Sequence, residues 1–241
     1  LTQKADEPTN DKTNSEEKVA LKKKTLAKVL YEQYSQTPQI LYRADWGAEA
    51  PNRPGKTNLG ELRSIVIHHA AGSWDRKRTG IELVQAIQKA HKQRRDKNGN
   101  KWNDIGYHFL IDPNGIIYQG RSFMEEGQSL GDIPLLIRGA HTGGANKGRI
   151  GICLMGDYHD PASVHYIRKI TPASKKALTH LLVFLHRRYK PQGDPRINVK
   201  GQTITGHQDF GPTSCPGDNI YKFLPAWDKE VKDILLQGVL S

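Results

Sequence analysis

Apolar positions along the 241-residue chain follow two different periods, and the way these alternate predicts the fold. "SIVIHHA" (64–70), "RIGICLMGDY" (149–158) and "QTIT" (202–205) are short, β-branched or nearly all apolar, and read as buried strands. "IGYHFLI" and "GIIYQG" flank "DPNG", a hairpin signal. Between the strands the period changes to 3.6. Ile81, Val84 and Ile87 line one face of a helix near 80–92, and Thr79 with Glu82 three residues later fits a capping box. Thr171-Pro172 opens a helix to about Tyr189, with Leu178, Leu181, Leu182 and Leu185 inward. A last helix runs from about Pro225. Strands and helices interleaved in this way predict a single α/β domain with a central mixed β-sheet flanked by helices.

The N-terminal part differs. Residues 1–17 are polar and charged without apolar periodicity, and are expected to be loosely ordered. Leu26, Val29, Leu30 and Tyr34 then recur at helical spacing, predicting an amphipathic helix over Val19–Tyr34 with "KKK" (22–24) on a solvated face. "YRADWGAEAPNRPGKTN" reads as an entry loop. The expected organisation is a polar N-terminal helical extension, 1–37, followed by one domain, 38–241. No run approaches the roughly 18 apolar residues of a membrane span. The chain opens on Leu1 without a leader pattern, so a natural start and any export signal are expected upstream.

Charge narrows the partners. The formal net charge is +11, yet residues 1–40 hold seven lysines against six acids, so nearly all the excess lies in the domain. Such a surface favours anionic partners: nucleic acid, anionic lipid or an acidic cell-wall polymer. No nucleic-acid motif or aromatic stacking platform supports the first, and no nucleic-acid partner is expected.

Two cysteines give no disulfide framework. Cys153, inside "IGICLMG", reads as a small core residue. Cys215 lies in the polar loop "GHQDFGPTSCPG", eight residues after His207, which follows the last strand. His68 ends the first strand, and alternation puts it on the face opposite His69. Two imidazoles and a thiolate are a set that binds zinc with a fourth position open to water. A rival reading makes Cys215 a nucleophile with His207 or His68 as its base. Pro216 weakens it, because it removes the nearest backbone N–H that would stabilise a thiolate or oxyanion.

The blocks "IVIHHAAG", "WNDIGYHFLIDPNGIIYQGR", "GAHTGGANKGRIGICLMGDY" and "GHQDFGPTSCPGD" occur in this order within residues 40–230. Together they resemble the type 2 N-acetylmuramoyl-L-alanine amidases, a family that includes peptidoglycan recognition proteins and phage lysozyme-type amidases. The resemblance implies a mixed sheet with a surface groove over one zinc ion per chain. It also implies hydrolysis of the amide between N-acetylmuramic acid and L-alanine of the peptidoglycan stem peptide. Carried over by position, the zinc ligands fall on His68, His207 and Cys215. Tyr107 matches the residue whose hydroxyl assists the reacting carbonyl, and His141 matches a groove histidine that contacts substrate.

The chain also departs from the family pattern. Thr213 stands where some phage members carry a lysine important for activity; its hydroxyl can orient groups but supplies no charge. Where some relatives have an acid on the strand matching "GICLMG", this chain has Cys153 and Met155. Residues 122–138 are longer than the usual connection, and Ser122-Phe123 replaces the Gly-Trp often seen in recognition proteins. Animal members usually have a disulfide near the first helix; its absence points towards a bacterial or phage source. The expected partner is peptidoglycan or muropeptides, and the expected location is the cell envelope (periplasmic) or outside the cell. The alternative function is a non-catalytic peptidoglycan-binding module.

Overall fold

The computed structural model describes residues 11–53, 59–72, 78–121, 136–159, 169–197 and 201–238. Six strands form one sheet: β1 (Ile40–Leu41), β2 (Ser64–His69), β3 (Phe109–Ile111), β4 (Ile117–Gln119), β5 (Arg149–Leu154) and β6 (Ile204–Gly206). Their order is β1-β4-β3-β5-β2-β6. The β3–β4 pair is the antiparallel hairpin around "DPNG", and the other neighbours run parallel, so the sheet is mixed.

Alternation decides what each face of the sheet carries. Ile65 and Ile67 on β2 and Ile150, Ile152 and Leu154 on β5 point to one face. There they pack against α3 (Pro172–Tyr189) and α5 (Leu224–Gln237), through Leu178, Leu181, Leu182, Leu185, Trp227 and Val231. The opposite face holds Leu110, Tyr118, Cys153 and Met155 beneath Val84, Ile81 and Ile87 of α2 (Gly80–Gln93). His68, one residue on from Ile67, therefore emerges on the α2 side.

The helices begin where the sequence signals them. Thr79 caps α2 and shares a capping box with Glu82; Thr171 accepts from the Ser174 N–H at the start of α3. The Thr171 hydroxyl also donates to the Pro113 carbonyl at 2.6 Å, fixing α3 to the hairpin turn. At the other end of the sheet, Asp228 on α5 accepts from the N–H groups of Thr203 (2.8 Å) and Ile204 (2.9 Å). That anchor sets β6, and with it His207.

The N-terminal segment differs from expectation. The helix, α1, spans Asp11–Tyr34, so residues 11–17 are helical; residues 1–10 lie outside the described residues. Lys, Glu, Ala and Leu are good helix formers, and local propensity needs no apolar stripe. Among the described side chains of the helix, Leu30, Tyr31 and Tyr34 join the core, whereas Leu26 and Val29 are 58% and 53% exposed. The expected apolar face is therefore limited to the last turn and a half. Among the described residues no helix is long and apolar enough to cross a membrane.

Removing the Asp228 carboxylate leaves two buried donors unpaired, which costs about 1–3 kcal/mol. Asp228→Ala should lower the urea unfolding free energy by that amount or more. Thr79→Ala should cost only about 1 kcal/mol, because the lost cap is exposed to water.

Candidate metal centre

Strand pairing brings the distant blocks together. Ile67 pairs with Gly206 and His68 with Cys153, so His207, the next residue after Gly206, emerges beside His68. The ring centroids of His68 and His207 are 4.7 Å apart. The loop after a 3-10 turn (His207–Asp209) returns Cys215, whose sulfur lies 3.6 Å from Nδ1 of His68. One ligand atom from each of the three residues lies within 4.8 Å of the others.

The hydrogen bonds settle which nitrogen faces the sulfur. Nε2 of His141 lies 3.2 Å from the Arg149 carbonyl oxygen, which can only accept, so that nitrogen carries the proton. Nδ1 of His141 is then an acceptor, and takes a hydrogen bond from Nε2–H of His68 at 2.9 Å. The lone pair of His68 is left on Nδ1, facing Cys215. Tetrahedral zinc bonds of about 2.1 Å to nitrogen and 2.3 Å to sulfur imply an N···S separation of roughly 3.6 Å, the spacing seen here. The three residues fit a metal ion.

Electrostatics agree. Burial, then the neighbouring His141 and His207, holds the His68 imidazole well below its ordinary value, and burial lowers His207 as well. Both rings are neutral near pH 7 and offer lone pairs. Burial pushes the Cys215 thiol up to about 12, opposed by the His69 N–H, which donates to its sulfur at 3.4 Å. A bound cation reverses that balance and takes the thiolate.

The other expected residues fall at different depths. Tyr107 is half-buried, its ring 5.1 Å from His68. Its phenol lies well above the ordinary value, chiefly through burial and then the nearby Cys153 and Cys215, and so keeps its proton. Thr213 is half-exposed and its hydroxyl oxygen accepts from the Cys215 N–H at 3.2 Å. His141 was expected in the groove, but its ring is buried behind His68 and both nitrogens are engaged. Gly151 makes room for it, since a Cβ there would lie 2.7 Å from the ring. Cys153 is a buried core thiol as expected, and also lies within hydrogen-bonding reach of Tyr107. No spacing signal marks that contact; it depends on sheet register.

A cleft of about 850 Å³ is lined by Arg53, Lys101, Arg121, Arg138 and Lys147, against Asp96, and runs past Gly139 and Ala140, the two residues before His141; none of the three donors lines it. Arg121 is 7% exposed and its Nε has no partner among the described residues. Residues 122–135 of the long connection, with Ser122-Phe123, lie outside the described residues. Its end turns inward: Leu136 is buried, and the Ile137 carbonyl accepts from His108 at 2.8 Å.

A mixed α/β domain thus brings two imidazoles and a thiol together at the ends of parallel strands, a donor set that could hold a metal ion. The family model described as N-acetylmuramoyl-L-alanine amidase matches residues 58–218, and the chain belongs to that family. Peptidoglycan-recognition protein SC2 of Drosophila melanogaster is 32% identical over 190 residues, 78% of this chain and 85% of that one. Peptidoglycan recognition protein 1 of Rattus norvegicus is 31% identical over 197 residues, 78% and 87%. Among solved structures, Drosophila PGRP-SD superposes with a TM-score of 0.58 at 27% identity, covering 79% of this chain and 95% of that one. The Clostridium intestinale endolysine amidase LysCS gives 0.56 at 26% identity, covering 84% and 98%.

Two expectations follow from the packing around the centre. Gly151→Ala pushes the His141 ring off its place and turns His68; zinc affinity, measured against a chromophoric chelator, should fall about 10–100-fold. The second concerns acid. Burial pushes His91, His108 and His186 each down to about 4, against about 6.5 unfolded. Between those values the unfolded chain binds protons that the folded one refuses, so the stability is intact above pH 6.5 and lost as pH falls towards 4. Thermal midpoints across pH 7.5–4 should drop steadily through that window.

Proposed function

We propose that this chain hydrolyses the amide between N-acetylmuramic acid and L-alanine of peptidoglycan, using one zinc ion held by His68, His207 and Cys215. The observation that supports this most is the convergence of the three donors, with the His68 lone pair turned to the Cys215 sulfur. Bound there, zinc would supply a Lewis acid that polarises the scissile carbonyl and activates water.

The chain's own residues account for the rest. Tyr107, kept protonated, donates its O–H to the carbonyl oxygen as negative charge builds. Thr213 spends its oxygen on the Cys215 N–H and keeps its proton to donate towards substrate. His141 acts behind the centre by fixing the His68 ring rather than by touching substrate. The cationic cleft suits the stem-peptide carboxylates, and its attraction weakens as salt rises. A substrate of this kind places the protein in the cell envelope or outside the cell, with residues 38–241 as the amidase unit.

The second reading is a binding module without catalysis. It draws on the relatives named as recognition proteins, one of them solved as a PGRP-LB mutant in complex with tracheal cytotoxin. Mass spectrometry of products from intact sacculi and from a soluble muropeptide separates the two. The amidase reading expects free stem peptide and one zinc per chain. It also expects roughly a 10³-fold loss in Cys215→Ala and roughly 10²–10³-fold lower kcat in Tyr107→Phe. Binding of muropeptide without any release would establish the module instead.

A further inference from the structure

A second polar cluster lies against the Cys215 segment, on the side away from the ligand pocket. Alternation sends His69 to the face opposite His68, and its ring meets His159 edge-on at 4.5 Å between centroids. Nδ1 of His159 lies 2.5 Å from the Asp157 carboxylate, which can only accept, so Nδ1–H donates. Nε2 of His159 is then an acceptor, and takes the Ser214 hydroxyl proton at 2.7 Å. Ser214 immediately precedes Cys215.

The backbone is tied at the same place. The Asn219 N–H donates to the Tyr158 carbonyl at 3.0 Å, and its side-chain amide to the His159 carbonyl at 3.4 Å. Gly217, at φ +89°, lets the two segments touch; a Cβ there would lie 2.5 Å from the Tyr158 carbonyl carbon. His69 completes the arrangement: its ring accepts from the Tyr158 N–H at 3.3 Å and its own N–H donates to the Cys215 sulfur.

Two other uses of this cluster fit less well. Ser214, His159 and Asp157 have the polarity of a nucleophilic triad, but the three residues after Ser214 leave no backbone donor for an oxyanion. The Cys215 N–H is given to Thr213, Pro216 has none, and the Gly217 N–H bonds the Ser214 carbonyl. His69, Asp157 and His159 also lie close enough to hold a cation. The relevant nitrogens are already occupied, one accepting from Tyr158 and the other donating to Asp157.

We propose that His159, oriented by Asp157, is a positioning residue for the Cys215 ligand: it pins Ser214 and thereby fixes the sulfur against His68 and His207. The inference rests on the zinc reading above. Losing a partner that orients a metal ligand typically weakens metal affinity 10–100-fold.

The test uses the full chain with zinc and a competing chelator, and the cobalt-substituted protein for its thiolate-to-metal absorption band. His159→Ala and Ser214→Ala should each weaken zinc binding about 10–100-fold and shift or weaken that band. His159→Gln keeps an acceptor for Ser214 and should recover most of the loss. The double variant should be no worse than His159→Ala, because both changes remove one shared hydrogen bond. Should His159→Ala fail to fold, Ser214→Ala, which removes only an exposed hydroxyl, carries the test. Zinc affinity within about threefold of wild type with an unchanged band, or additive losses in the double variant, overturns the positioning role while leaving the metal centre intact. A wild-type chain that binds no zinc overturns both.

Discussion

A carbonyl oxygen can only accept a hydrogen bond, and at Arg149 that restriction governs the centre. It fixes the proton of His141, which fixes the proton of His68, which leaves one lone pair directed at Cys215. Each link is buried, so no water competes for the bonds and none of the rings can turn without losing a partner. Strand β5 supplies both the carbonyl and the gap at Gly151 that admits the His141 ring. The second imidazole and the thiol then arrive on β6 and its loop, held by Asp228 and the 3-10 turn. The arrangement is built from sheet geometry first and side-chain chemistry second.

Much of this was legible in the sequence. The strands announce themselves because one face of each must be apolar, and the caps because Thr79 and Thr171 stand at fixed offsets from their helices. His68, His207, Cys215 and Tyr107 carry a family pattern strong enough to place them before any fold is known. What could not be read are the residues whose role depends on register and on packing between distant segments. The family pattern marks His141 as a groove histidine, yet its buried place behind His68 shows only once β5 is laid beside β2, and Cys153 looks like plain core until Tyr107 is set over it. His159 and Ser214 are 55 residues apart and share no spacing signal. The N-terminal helix was misjudged for another reason. A window of propensity can make a helix without an apolar stripe, so periodicity underestimates its length and overestimates its buried face.

The charge distribution and the candidate metal site have separate origins. The centre is kept neutral by burial, with imidazoles that resist protonation and a thiol that resists losing its proton. Cationic side chains collect in a separate cleft, where the Nε of buried Arg121 has no partner among the described residues. The chain thus keeps its neutral donor set and its cationic side chains on different residues, with no shared lining between them.

The position of β6 at the edge of the sheet has a consequence for the way the chain opens. Among the described residues this three-residue edge strand has a ladder partner on one side only, so, like β1 at the other edge, it is lost in a local fluctuation more readily than the interior strands. Yet it carries His207 and leads to Cys215, while His68 sits on the interior strand beside it. Any ion gripped by all three therefore bridges an interior strand to an edge, closing a loop of chain far longer than any single hairpin. Occupancy of the centre and fraying of the edge become opposite sides of one equilibrium, and amide exchange along β6 would report the binding of the ion.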